Sequence, residues 1–85
     1  MKKSVYSIRD NKMASFGIPV IIENDAVATR QFGDVIVSGG DNVMCKHPAD
    51  FTLYNLGEFD SATGKFENLD CPVALATGSD FAVKE

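Results

Sequence analysis

Between Ser4 and Ile8 the chain reads SVYSI, polar and apolar by turns, with the β-favouring bulk of Val5, Tyr6 and Ile8. This alternation predicts a first strand. Asp10-Asn11 supplies a turn signal after it, because short polar side chains bond nearby backbone. Phe16-Gly17-Ile18-Pro19 reads as a connection and Val20-Ile21-Ile22 as a short extended piece. Pro19 lacks an amide donor, which puts that piece at a sheet edge or a strand start. The period then changes. In ENDAVATRQFGDVIVS, Ala28, Phe32, Val35 and Ile36 fall at i, i+4, i+7 and i+8, one apolar face of an amphipathic helix over about residues 24–38. Asn24 or Asp25 caps its start and Ser38-Gly39-Gly40 ends it, while Gly33 in its interior points to close packing on a sheet.

Beyond the helix, Val43-Met44-Cys45 reads as a brief buried strand or turn, and Pro48 pushes His47 into an extended conformation. Asp50 to Glu58 is a strand and Lys65 to Leu69 its partner, joined through Asp60-Ser61-Ala62-Thr63-Gly64. Asp60 accepts from amides ahead of it and Gly64 takes positive φ, the chemistry of a hairpin loop. Plain alternation puts Phe51, Leu53 and Phe59 on one face of that strand and Tyr54 and Leu56 on the other. The fold class is α+β: a small antiparallel sheet with a β-hairpin in the C-terminal half and one amphipathic helix packed on it. One helix covers one face, so the second face needs a cover. A homodimer supplies it most economically; the segment CPVALATGSDFAVKE, folding back, is the other candidate.

Eighty-five residues make one domain, residues 1–85, with no room for a second core. A chain of this size buries only about 60% of the surface its unfolded form exposes. The opening MKKSVYSIRDNK has charges but no apolar stretch behind them, and no apolar run reaches membrane-spanning length. A reducing compartment and free thiols at Cys45 and Cys71 follow as expectations. The net charge of −4 is unevenly spread. Residues 1–20 hold four basic side chains (Lys2, Lys3, Arg9, Lys12) against Asp10; residues 21–85 hold four against eleven acidic ones. The acidic bulk repels a phosphate backbone at long range, which argues against strong non-specific nucleic-acid binding. The basic N-terminal side chains either contact phosphates or are simply solvated on an edge strand.

Catalytic and metal chemistry find little to stand on. Cys45 and His47 share a face if the segment is extended, but no orienting third group or oxyanion loop accompanies them. Cys45, His47 and Cys71 lack the spacing of a zinc site, and the loop aspartates lack that of a calcium loop. Ser38-Gly39-Gly40-Asp41 follows a helix rather than opening one, the reverse of a phosphate cradle. The expectation is no enzyme, no metal and no cofactor. What remains is a set of rings. Single strands are bound by stacking bases on exposed rings beside cations. Tyr6 and Tyr54, with Lys2, Lys3, Arg9 and Lys12, are the candidate nucleic-acid-binding residues. The competing reading gives the rings to the core and a dimer interface.

The run HPADFTLYNLGEFDSATG, after a helix opening with NDAVATRQF, resembles the small nonstructural protein of gokushovirus-type microviruses, tailless phages with single-stranded DNA genomes. The likeness covers most of the chain, from MKKSVYSIRD through the hairpin, and carries no catalytic residues. It implies a noncatalytic role in single-stranded DNA genome synthesis or packaging, through weak DNA binding, in the cytoplasm of the infected bacterium. The alternative is a protein–protein adaptor that meets a phage or host replication or packaging protein without touching DNA. Its contacts are rim charges such as Asp60, Glu67 and Asp70 around an apolar strand face.

Overall fold

The computed structural model describes residues 1–39 and 41–81. An antiparallel sheet of five strands forms its frame: β1 (Lys2–Asp10), β2 (Ser15–Phe16), β3 (Val20–Ile22), β4 (Phe51–Asp60) and β5 (Lys65–Thr77). Helix α1 (Asp25–Val37) and the single turn α2 (Val43–Lys46) lie between β3 and β4. The α+β reading holds. The strand order is β2-β1-β4-β5, and β3 also pairs with β1. Because β4 runs along one side of β1 from Lys2 to Asp10, β2 and β3 share the other side end to end. Arg9 therefore sits between β2 and β4, while Lys2 and Lys3 lie beyond the β3 pairing and Lys12 lies in the turn after β1.

Cross-strand partners share a face of the sheet, and β1 carries no extra residue, so it serves as a ruler. Its even positions, Tyr6 and Ile8, pair with Asn55 and Leu53 of β4, which defines an inner face. Helix α1 packs there: Ala28, Phe32 and Ile36 join Tyr6, Phe51, Leu53 and Ala76 in one buried cluster. Three of the four expected apolar helix positions are thus buried, while Val35 remains exposed. Asn24 caps α1 by accepting from the Val27 amide at 2.9 Å, and Gly39 follows the Ser38 C-cap at φ 80°. Gly33 makes room for the Phe81 ring rather than for the sheet. That ring meets Phe32 edge-on at 5.9 Å.

Three local expectations change. Val43-Met44-Cys45 belongs to α2, begun by Asn42, whose side chain accepts from the Met44 amide at 2.8 Å. His47 adopts φ −131°, ψ 59° between α2 and a 3₁₀ turn at Pro48–Asp50, not a regular extended conformation. The partner of β4 runs to Thr77, so Cys71–Thr77 forms strand, followed by a 3₁₀ turn at Gly78–Asp80 and then Phe81 on the inner side. This segment extends the sheet and closes the core instead of covering the second face; residues 82–85 lie outside the described ones.

The largest correction concerns register. Val5 pairs with Gly57 and Tyr6 with Asn55, so Leu56 is an extra residue, a β-bulge in β4. The bulge reverses the alternation beyond it. Phe59 pairs with Lys3, an odd position of β1, and so lies on the outer face with Tyr54, opposite to Phe51 and Leu53. Gly57 permits this geometry: its φ is 147°, and a Cβ there would collide with the Glu67 carbonyl. The hairpin loop is as expected, with Asp60 accepting from the Ala62 amide at 2.9 Å and Gly64 at φ 75°.

Candidate nucleic-acid interface

The outer face is built from the odd positions of β1 and their partners. Lys3, Val5, Ser7 and Arg9 lie beside Ile21 and Phe16 on one side and Phe59, Gly57, Tyr54 and Thr52 on the other; Phe66 follows Phe59 onto β5. The carboxylates carried by paired strand residues, Asp10, Glu58, Asp60 and Glu67, all fall at inner-face register positions. In a chain of net charge −4, the pleat thus puts Lys3, Arg9 and four rings on the outer face and these four acids on the other side. Glu23, just past β3, is the exception, reaching Lys3 at 3.6 Å.

At one end of this face, Phe16 and Tyr54 meet edge to face with centroids 5.3 Å apart. They stand on β2 and β4, which flank β1 and so lie two strand spacings apart, roughly 9.5 Å. The rings therefore lean toward each other over β1. Ser7 between them is only 1% exposed, its hydroxyl donating to the Gly17 carbonyl at 2.8 Å. The Arg9 guanidinium lies 5.9 Å from the Phe16 ring centroid, within cation–π range. Its Nη1 donates to Asn11 Oδ1 at 2.7 Å, and Asn11 Nδ2 donates in turn to Thr52 Oγ1 at 3.0 Å. A guanidinium has five N–H donors, and among the described residues Arg9 directs only this one side-chain hydrogen bond to protein. Lys12 is exposed on the adjoining turn, where Asp10 Oδ1 is occupied by the Lys12 and Met13 backbone amides. Chemically, this end offers ring faces, an anchored guanidinium and an ammonium.

The six expected contact residues separate accordingly. Arg9 and Tyr54 both flank the Phe16 ring, and Lys12 lies on the turn that follows β1. Tyr6 does not join them: it is 0% exposed under α1, and its hydroxyl donates to Asp25 Oδ1 at 2.6 Å. Burial, then the hydrogen bond to Asp25, pushes its pKa up to about 12. A ring enclosed in the core presents no face to a base. Lys2 is on the inner face, 2.9 Å from Glu67, and that hydrogen bond holds its ammonium above the ordinary lysine value. Lys3 is on the outer face but is shared with Glu23. Phe16, at 44% exposure, was not among the candidates. The signal was present, since a turn starting at Asp10-Asn11 folds the next few residues back beside Arg9.

The Cys45–His47 dyad does not form. Cys45 sits in α2 with its thiol donating to the Val35 carbonyl at 2.9 Å, and it and Cys71 are free thiols. Among the described residues no helix is long and apolar enough to cross a membrane.

The family described as Phage ORF5 protein matches residues 3–81. Protein ORF5 of Chlamydia phage 1 is 35% identical over 72 residues, which cover 80% of this chain and 74% of that protein. No solved structure matches the chain. The family match spans both the basic N-terminal strand and the hairpin whose HPADFTLYNLGEFDSATG run carried the resemblance, and on it the chain belongs to the Phage ORF5 protein family.

Proposed function

We propose that this phage protein is a noncatalytic accessory factor of single-stranded DNA genome synthesis or packaging, acting in the infected cell's cytoplasm and binding DNA weakly through the outer face of its sheet. The observation that carries the reading is the segregation of charge across the pleat. An overall acidic chain carries the carboxylates of its paired strand residues on one face, and the opposite face holds a ring pair beside Arg9. Base stacking on such rings tolerates any sequence, and the anchored guanidinium supplies a phosphate contact. Fluorescence anisotropy with a labelled single-stranded oligonucleotide tests it. Saturable binding that weakens with added salt is the expected result. Flat anisotropy at low ionic strength, where attraction between charges is least screened, would remove DNA as a direct ligand.

A second reading rests on β5. Its outer edge is unpaired in the strand order, and Leu69 and Val73 are exposed along it near Glu67 and Asp70. Apolar residues rimmed by carboxylates suit a basic protein partner such as a replication or packaging protein. The same open edge is where a second copy would add its own β5 and form the homodimer. A partner recovered from infected cells that survives nuclease treatment supports the adaptor; one lost on nuclease treatment was bridged by DNA.

A further inference from the structure

A second ring pair lies on the same face. Phe59 and Phe66 are direct cross-strand partners with centroids 4.9 Å apart, and Phe66 is 60% exposed. Relative to β1, the first ring pair sits at Ser7, which faces Tyr54, and the second at Lys3, which faces Phe59. Four residues of strand separate the two, roughly 13 Å. The first pair stands over β1, between β2 and β4, and the second over β4 and β5, so the two are separate stations on one face of the sheet.

We propose that this face takes one single strand of nucleic acid across both stations, with bases against both ring pairs and phosphates held at the Arg9 end. The proposal rests on the reading of the Phe16–Tyr54 end as a DNA contact and extends it to a second, separate stacking station. The rings set the form of the ligand. A base laid against a ring gives up its stack on a neighbouring base, so a strand that engages both stations is unstacked at each. A duplex keeps its base faces stacked and hidden from the rings. Charge sets the polarity of the face. Arg9 and Lys12 have no carboxylate partner in ion-pair range among the described residues, whereas Lys3 at the far end is shared with Glu23. Short ligands consequently bind at the Phe16–Tyr54 end, and longer ones gain affinity by reaching Phe66.

The test is a length series of oligodeoxythymidylates, from about two to about eight nucleotides, titrated against the wild-type protein, Phe66→Leu and Tyr54→Leu at low salt. Leucine keeps apolar bulk but removes the π-face, so loss of stacking is separated from loss of fold, and Phe66 is exposed enough to accept it. For the wild type, affinity rises about tenfold once the strand is long enough to span both ring pairs. Phe66→Leu removes that rise and leaves the shortest ligands unchanged, whereas Tyr54→Leu weakens every length. A Phe66→Leu series that superimposes on the wild type overturns the second station while leaving the first intact. No binding by the wild type at any length overturns both.

Discussion

Arg9 is held from two sides, by the Phe16 ring and by Asn11, which is itself fixed to Thr52. A side chain so placed loses less freedom on meeting a phosphate than a free lysine does. Arg9→Ala is expected to weaken single-strand binding about tenfold, the worth of one hydrogen bond to a charged group. Asn11→Ala should weaken it less, since it loosens the guanidinium without removing it. Anisotropy titrations of both variants check the order, and an Asn11→Ala defect as large as that of Arg9→Ala would contradict it. Tyr6 gives a prediction of another kind. Its pKa is about 12 in the folded protein against an ordinary 10.0, so between those values the folded state holds a proton that the unfolded state has lost. This contribution to stability is complete below about pH 10 and is lost as pH rises towards 12. The denaturation midpoint should therefore fall with pH across that window, and less steeply in Tyr6→Phe; parallel slopes would refute the assignment. The burial of Tyr6 was legible in part. Ile8 shares its face at i+2, and two bulky residues on one side of a strand mark the side a helix covers. What the pattern lacked was a helix position, and without one both tyrosines looked equally available.

Helix α1 was readable because its signals are local: an Asn cap, an apolar period of 3.6 and a glycine beyond the end all lie within one stretch of chain. The hairpin loop was readable for the same reason. The bulge at Leu56 was not, because alternation is a statement about one strand while register is set by two. Phe59 was consequently assigned to the wrong face, and half of the ring surface with it. Gly57 was the only sequence trace, a glycine inside a strand pattern, which often marks a bulge or a close backbone approach. Asp70-Cys71-Pro72 resembles a break in β5, and Pro72 is accommodated there because Leu69–Pro72 fall in an irregular stretch with no β4 partner, where no ladder donor is needed. Gly57→Ala carries the consequence. The added methyl meets the Glu67 carbonyl at a φ that side chains rarely adopt, so the substitution should destabilise by about 2 kcal/mol or more. Urea denaturation gives the value directly. A loss under about 0.5 kcal/mol would mean that β4 re-registers easily and that the position of Phe59 is not fixed by the bulge.

The molecule is acidic overall, and its outer face carries few carboxylates, which bounds how strongly the proposed DNA contact can depend on charge. Four basic side chains near the N-terminus suggest a broad cationic arm, yet the sheet divides them: Lys2 is turned inward to Glu67 and Lys3 is shared with Glu23. Of these four, only Arg9 beside Phe16 and Lys12 on the adjoining turn are without an ion pair among the described residues. Each phosphate neutralised on a single strand contributes about −0.7 to the slope of log affinity against log salt. Two such contacts predict a slope near −1.4, shallow beside that of a dedicated strand-coating protein, with most of the remaining affinity coming from stacking and so insensitive to salt. Lys12→Ala should reduce the slope by about 0.7, while the double substitution Lys2→Ala with Lys3→Ala should leave it unchanged. The measurement is a set of titrations of the three proteins over a range of salt concentrations. A wild-type slope of about −3 that collapses in the Lys2, Lys3 double variant would mean that the ion pairs to Glu67 and Glu23 open on binding. The whole basic arm would then engage the strand. A shallow slope that depends on Lys12 alone of these three lysines confines the electrostatic contact to the Arg9 end, where the guanidinium lies 5.9 Å from the Phe16 ring centroid.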